Sequence, residues 1–409
     1  MAQLPDGELA PLNGVLPASA AVDSQLRTFH AYLHIPFCKV RCGYCDFNTY
    51  TSSELRGVTQ NSFLDNLLAE IRFSRGVLSN LSIANREFST VFFGGGTPTQ
   101  LEAEQLAQTL RALAAEFGVA SGAEVTTEAN PDTVDERYLA TLAEAGFTRV
   151  SIGMQSAVNS VLKTLDRTHN PDNVAKAVSA AKAAGLQVSL DLIYGTPRET
   201  LVDWRESLET AIALEPNHIS AYSLIVEDGT KLARQIRSGE LEQPSDDDHA
   251  DKYELADSLL SSAGFEWYEV SNWSTDKSFR SAHNLAYWQS NDWWGFGPGA
   301  HSHVGGTRWW NVKHPAAYAE RIANGQSPAL AREVLDDATR ATERVLLELR
   351  VRQGLPIDYL KTLNPDVAKP ISQFIAEGMV DAANALAGQL SLTLKGRLLA
   401  DSIVRQLLG

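Results

Sequence analysis

The chain has 409 residues, 44% hydrophobic and 21% charged, with 35 basic against 50 acidic side chains. A net charge of −15 argues against a general nucleic-acid or anionic-membrane partner, since each needs a basic surface. No apolar run reaches about 18 residues, so no membrane-spanning helix is expected, and the length allows one catalytic-size domain with a smaller companion.

In chain order, residues 1–28 are rich in Pro, Gly, Ala and Ser and lack a basic start followed by an apolar core. They predict a loose leader rather than a signal peptide. A strand at 31–35 then runs into YLHIPFCKVRCGYCDFN, residues 32–48, which holds every cysteine: Cys38, Cys42 and Cys45. Three thiolates spaced C-x3-C-x2-C can share one soft centre and leave it one ligand short of four. An iron–sulfur cluster with one open iron suits that set. The alternative is a Cys3His zinc site, for which His34 is the nearby imidazole, although it sits in a strand. Tyr32, Phe37, Tyr44 and Phe47 supply a partly apolar shell. An odd number of cysteines around such a group suits a reducing compartment, so a cytoplasmic location is expected.

Strand patterns recur at 31–35, 90–93, 124–128, 150–154, 188–193 and 218–224, and helical patterns at 61–73, 103–117, 135–145, 173–184 and 201–214. This alternation predicts parallel strands with crossover helices. Six units are too few for a closed eight-unit barrel and enough for a partial one; an open doubly wound sheet is the alternative. The strand ends carry Gly94-Gly95-Gly96-Thr97, Glu128, Gln155 and Asp191. Taken singly, the glycines need only make a tight turn, and Thr99-x-x-Glu102 reads as a capping box that starts a helix. Glu128 can cap the Asn130-Pro131 turn, and Gln155 can satisfy backbone groups. Asp191, inside SLDLIYG, needs a partner or a ligand. Together with the cysteine loop they predict one cofactor mouth at the carboxyl ends of the strands.

Beyond residue 224, QPSDDDH at 243–249 reads as a solvated loop, followed by a helix at 250–262 and a strand in FEWYEVSN. Residues 281–311 hold His283, His301 and His303. Six of the eight tryptophans lie there or close by: Trp273, Trp288, Trp293, Trp294, Trp309 and Trp310. Such a segment offers an iron porphyrin flat contacts and an axial nitrogen, or it fills a core. GFGPG at 295–299 lacks the strand and helix of a dinucleotide fingerprint. From about 332 the chain predicts helices, a hairpin at 379–394 and a last helix, a small winged-helix-like unit. Its 10 basic and 10 acidic residues favour packing or docking over DNA binding.

The cysteine spacing, with an aromatic before the last Cys, resembles the radical SAM superfamily. YLHIPFC together with CDF is similar to the branch of oxygen-independent coproporphyrinogen III oxidases and HemW heme chaperones, from about Tyr32 to the C-terminus. The resemblance implies an α/β fold: a partial (β/α)6 barrel with extra β elements and a small, mostly helical C-terminal domain. The implied division is a leader at 1–28, the barrel at 29–228, an accessory region at 229–330 and a C-terminal domain at 331–409. Cys38, Cys42 and Cys45 would hold a [4Fe–4S] cluster. Tyr32, Tyr44, Gly95, Gly96, Thr97, Glu128, Gln155, Arg167 and Asp191 match positions that contact S-adenosylmethionine. His283-Asn284-Leu285-Ala286-Tyr287-Trp288 is similar to the HNxxYW pattern of the chaperones. It implies a heme site with His283 as axial ligand, Asn284, Tyr287 and Trp288 around it, and His301 and His303 as alternatives. Phe47 stands where the oxidases carry a further cysteine, which weighs against oxidative decarboxylation. The implied function is a heme chaperone serving acceptor hemoproteins, respiratory ones among them. Transient contact with a membrane protein and a homodimer are compatible with it. The alternative is a radical SAM enzyme acting on a porphyrinogen.

Overall fold

Six parallel strands form the centre of the structure, a computed structural model that describes residues 7–81, 83 and 86–409. They are β1 (Phe29–Ile35), β2 (Phe88–Gly95), β3 (Val119–Ala129), β4 (Arg149–Gln155), β5 (Gln187–Tyr194) and β6 (His218–Ser223). They pair in chain order without a reversal. A doubly wound sheet needs a reversal at its switch point, so the winding is that of a partial barrel and the open doubly wound alternative falls away.

Side chains alternate across each strand. One face carries Ala31, Leu33, Ile35, Val91, Phe93, Val150, Ile152, Leu190 and Leu192, all almost fully buried. Helices α1 (Gln60–Ser79), α2 (Ala103–Phe117), α3 (Glu136–Glu144), α4 (Asp172–Ala183) and α5 (Leu201–Ala213) cover that face. In α2 the stripe Leu106, Leu110, Leu113 and Phe117 repeats at helical spacing and is buried. Each fully buried leucine contributes about 1.5–3 kcal/mol. The helices start at side-chain caps: Thr59 Oγ1 accepts from Ser62 N at 3.1 Å and Asp135 from Tyr138 N at 2.7 Å. The capping box expected at Thr99 is displaced by three residues. Thr99 Oγ1 pairs instead with Thr133 Oγ1 at 2.6 Å, and Glu102 with Gln105 caps α2.

The other face is polar. His30 and Thr90 share a hydrogen bond of 2.9 Å, Ser151 donates to Asp191 at 2.8 Å, and Ser189 pairs with His218 at 2.8 Å. This concave face is the floor of the site.

The region 229–330 does not build a core of its own. After α6 (Asp246–Ser262), β7 (Glu266–Glu269) and β8 (Asn272–Ser274) join the β6 edge antiparallel. Helix α7 (Ala282–Trp288) crosses to the concave face, and β9 (Asp292–Phe296) lies parallel beside β1. β10 (His301–Val304), β11 (Thr307–Asn311) and β12 (Ala329–Val334) extend that edge antiparallel. Trp294, Phe296 and Trp309 therefore belong to the main core.

Residues 1–6 of the expected leader lie outside the described residues. Residues 7–28 are not loose: Glu8–Leu9 pairs with Arg332 and Ala331, Ser327 N donates to Leu12 O at 2.7 Å, and Leu16 and Ala20 are buried. The apolar gain at these two residues outweighs the loop-like composition. From α8 (Asp337–Glu348) onward, residues 345–407 gather a separate small core. The expected hairpin at 379–394 is only partly a hairpin: Val380 bridges Leu392, but Ala382–Leu386 is helical and Gln389–Leu390 pairs with Leu355–Pro356.

Candidate functional site

β1 delivers the cysteine loop to the mouth of the concave face. The loop is laced to the glycine run after β2: Gly96 N donates to Ile35 O and Thr97 N to Phe37 O, both at 2.8 Å. A Cβ on Gly96 would fall 2.6 Å from Phe37 O and 3.0 Å from Cys38 Sγ, so only glycine allows this approach. Thr97 Oγ1 lies 4.0 Å from Cys38 Sγ and Arg167 Nη1 3.7 Å from Cys42 Sγ. Tyr44 packs against the small cluster of Val161, Leu165 and Leu224. Burial raises the Cys38 thiol and pushes Cys45 up to about 11. Thiols held neutral in this way ionise when a metal centre supplies the positive charge. The loop fits a three-thiolate cluster. It does not fit the Cys3His alternative: Tyr32 OH donates to His34 Nδ1 at 3.1 Å, and His34 Nε2 donates to Asn48 O at 2.9 Å. Neither ring nitrogen is left for zinc.

The strand ends converge beside the loop. Gly95, at φ +113°, donates its N–H to Glu128 Oε2 at 3.1 Å, so Glu128 faces the glycine run and does not cap Asn130, whose own Oδ1 accepts from Asp132 N. Gln155 sits at φ +63°, next to an irregularity in the β4–β5 pairing. That left-handed conformation costs of order 1–3 kcal/mol in a non-glycine residue, and it turns the chain at the mouth. Arg167 Nη2 donates to Gly153 O at 3.0 Å, and Gly153 is the register partner of Asp191. Arg167 is thus inside the site rather than on the surface. Burial, with the charge of Asp191 added, pushes Glu128 up to about 8; burial also raises Asp191, against the hydrogen bond from Ser151. Two buried carboxylates facing one mouth favour a cationic guest.

A cavity of about 1050 Å³ continues from Tyr32, Gly95 and Glu128 along β9 and β10 to α8 and Tyr359. That is the upper end of the size of small-molecule sites. Helix α7 reaches it through Tyr287. His283 Nδ1 pairs with Thr90 Oγ1 at 2.6 Å and Nε2 with Tyr287 OH at 2.9 Å, and the residue is 2% exposed. Asn284 and Trp288 lie beside the buried Glu269 carboxylate, which burial pushes up to about 8 and to which Asn272 Nδ2 donates. Of the HNLAYW stretch, Tyr287 reaches the cavity wall, where Trp293 stacks edge-on against it at 4.7 Å. His303 also lines the cavity, but its Nδ1 donates to Asn291 O at 3.3 Å and its Nε2 accepts from Gly306 N at 3.2 Å. His301 is exposed to the cavity, and among the described residues neither of its ring nitrogens has a hydrogen-bond partner. Lys313 and Arg340 lie at the same wall. Sequence reasoning passed over both, since no local pattern marks them.

Residues 32–211 match the model of the family described as Radical SAM superfamily. The chain is 47% identical over 395 residues to a protein of Mycobacterium tuberculosis named Heme chaperone HemW, a match that covers 96% of this chain and 98% of that one. The Bacillus subtilis protein of the same name is 32% identical over 389 residues, covering 93% and 99%. Among solved structures, coproporphyrinogen III oxidase (HemN) from Escherichia coli superposes with a TM-score of 0.78 over 95% of this chain and 92% of that one. Its identity is 22%, so this likeness speaks for the fold alone.

Proposed function

We propose a heme-carrying role on one premise: the chain belongs to the HemW heme chaperone family within the radical SAM superfamily. One observation carries the reading. The large cavity is walled by Tyr287, Trp293 and Tyr359, holds a free imidazole and cationic side chains, and opens beside the cysteine loop. Flat aromatic walls, an available nitrogen and cations for two carboxylates are what an iron porphyrin asks of a protein. Cys38, Cys42 and Cys45 would hold a [4Fe–4S] cluster. Tyr32, Tyr44, Gly95, Gly96, Thr97, Glu128, Gln155, Arg167 and Asp191 would surround S-adenosylmethionine. When bound and reduced, such a cluster would be able to supply an electron to the cofactor. Phe47, 62% exposed and lining the cavity, stands where a decarboxylating oxidase would need a thiol, so delivery is preferred to porphyrinogen chemistry. The recipients would be acceptor hemoproteins, respiratory ones included, met from the cytoplasm through transient contact or as a homodimer. Among the described residues no helix is long and apolar enough to cross a membrane.

Anaerobically reconstituted protein is expected to bind one heme per chain, seen as a saturating Soret band, and to form no protoporphyrinogen from coproporphyrinogen III. Porphyrinogen turnover without heme binding would reverse the assignment.

The cofactor end carries its own test. The Glu128 carboxylate ionises only as pH rises through about 8, and only then would it attract the cationic end of the cofactor. Affinity for S-adenosylmethionine is therefore expected to rise between pH 6.5 and 9. Glu128→Gln should lower it about ten- to hundredfold at the upper end and flatten the profile. Calorimetric titration across that range checks both, and parallel profiles for the two proteins would exclude Glu128 from the site.

A further inference from the structure

We propose that His301, and not His283, is the side chain that binds heme iron, and that Lys313 and Arg340 receive the porphyrin's carboxylates; the assignment rests on the heme-carrying reading above. Three histidines, His34, His301 and His303, line the cavity, and His283 lies behind Tyr287. His34 is held at both nitrogens by Tyr32 and Asn48, His283 by Thr90 and Tyr287, and His303 by Asn291 and Gly306. An axial ligand must present an unprotonated nitrogen with an open approach. To do so, His283 would have to give up Thr90, which would keep only His30, or Tyr287, whose hydroxyl has no other hydrogen-bond partner among the described residues. His301 gives up nothing. It begins β10, exposed in the cavity, and its ring is stacked 6.1 Å from Trp310.

The two cations complete the set. Arg308 is already committed to Glu333 and Glu343 at 2.6 and 2.7 Å, and Arg344 to Glu348 at 2.8 Å. Lys313 and Arg340 are exposed at the same cavity, and among the described residues their side chains make no ion pair. Arg340 lies along the β10–β11 turn, with its Cδ 3.1 Å from where a Cβ on Gly306 would stand. Free cations beside the paired Arg308 and Arg344 are placed for an anionic guest, and Asp337 lines the same cavity. In this scheme the HNLAYW helix is a positioning element. His283 holds Tyr287 against the cavity, and Asn284 and Trp288 lie on the side of the helix toward the buried Glu269.

The test uses the full chain titrated with hemin and with hemin dimethyl ester, read by optical and EPR spectra. Wild type is expected to give a nitrogen-ligated ferric spectrum. His301→Ala should lose that signature and bind hemin at least tenfold more weakly, and added imidazole should restore the spectrum. His283→Ala should keep the nitrogen-ligated spectrum while its thermal transition falls. Lys313→Ala with Arg340→Ala should weaken hemin at least tenfold, to the level at which wild type binds the dimethyl ester. If His301→Ala keeps the wild-type spectrum, or His283→Ala alone loses it, the iron assignment is overturned and the heme-carrying reading stands. Equal binding of hemin and its ester by wild type overturns the roles of Lys313 and Arg340. If wild type binds no hemin at all, both readings fail.

Discussion

Cys42→Ala protein, reconstituted without oxygen, is expected to retain less than about a tenth of the wild-type iron and sulfide and to lose binding of S-adenosylmethionine, because cluster affinity depends on the full thiolate set. The loop has no substitute ligand to offer. His34 is bonded at both ring nitrogens, and the chain has no cysteine beyond the three of the loop. Arg167, 3.7 Å from Cys42 Sγ, would also lose the anion it faces. The metal-free fold should survive, since Cys42 is only partly sheltered and the loop's backbone hydrogen bonds do not involve its side chain. Iron and sulfide analysis beside thermal melting separates loss of the site from loss of the fold. A full iron complement in Cys42→Ala would remove the cluster from the scheme.

The second large effect is one of stability. Asp292→Ala is expected to destabilise the protein by about 3–5 kcal/mol, the usual consequence of stranding buried charges. The Asp292 side chain is completely buried. Its Oδ1 accepts from Arg27 Nε at 2.9 Å and Gly305 N at 2.8 Å, and its Oδ2 from Arg86 Nη1 at 2.6 Å. Those partners come from the segment before β1, the segment before β2 and the β10–β11 turn. The two arginines are only 13% and 14% exposed, so neither can turn to water without unpacking. By contrast, Glu104→Ala should change stability by no more than about 0.5 kcal/mol, because its pair with Arg111 is open to solvent. Urea unfolding of both variants makes the comparison; equal effects would refute this account of the buried pair.

Much of the architecture is legible from local pattern. Val188, Leu190 and Leu192 alternate with Ser189 and Asp191, and that period marks one strand face for the helices and the other for the site. The residues at the strand ends meet in space because parallel winding brings all carboxyl ends to one side. What cannot be read locally is pairing across distance. β9 lies beside β1 through Trp293↔His30, a contact between segments far apart in sequence that no periodicity encodes. The packing of residues 7–28 is missed for the same reason. His283 shows the limit most clearly. Its motif context draws attention to it, yet whether its nitrogens are free depends in part on Thr90, a residue of strand β2 nearly two hundred positions earlier. Lys313 and Arg340 are ordinary surface letters until the fold sets them on one wall.

The single continuous hollow from Glu128 to His301 has a thermodynamic corollary. A positively charged occupant at the carboxylate end and a negatively charged one at the imidazole end would be neighbours without a partition. Each then alters the field in which the other settles. Whatever factor the first imposes on the second's dissociation constant, the second must return to the first unchanged, so loading and release at the two ends form one coupled equilibrium.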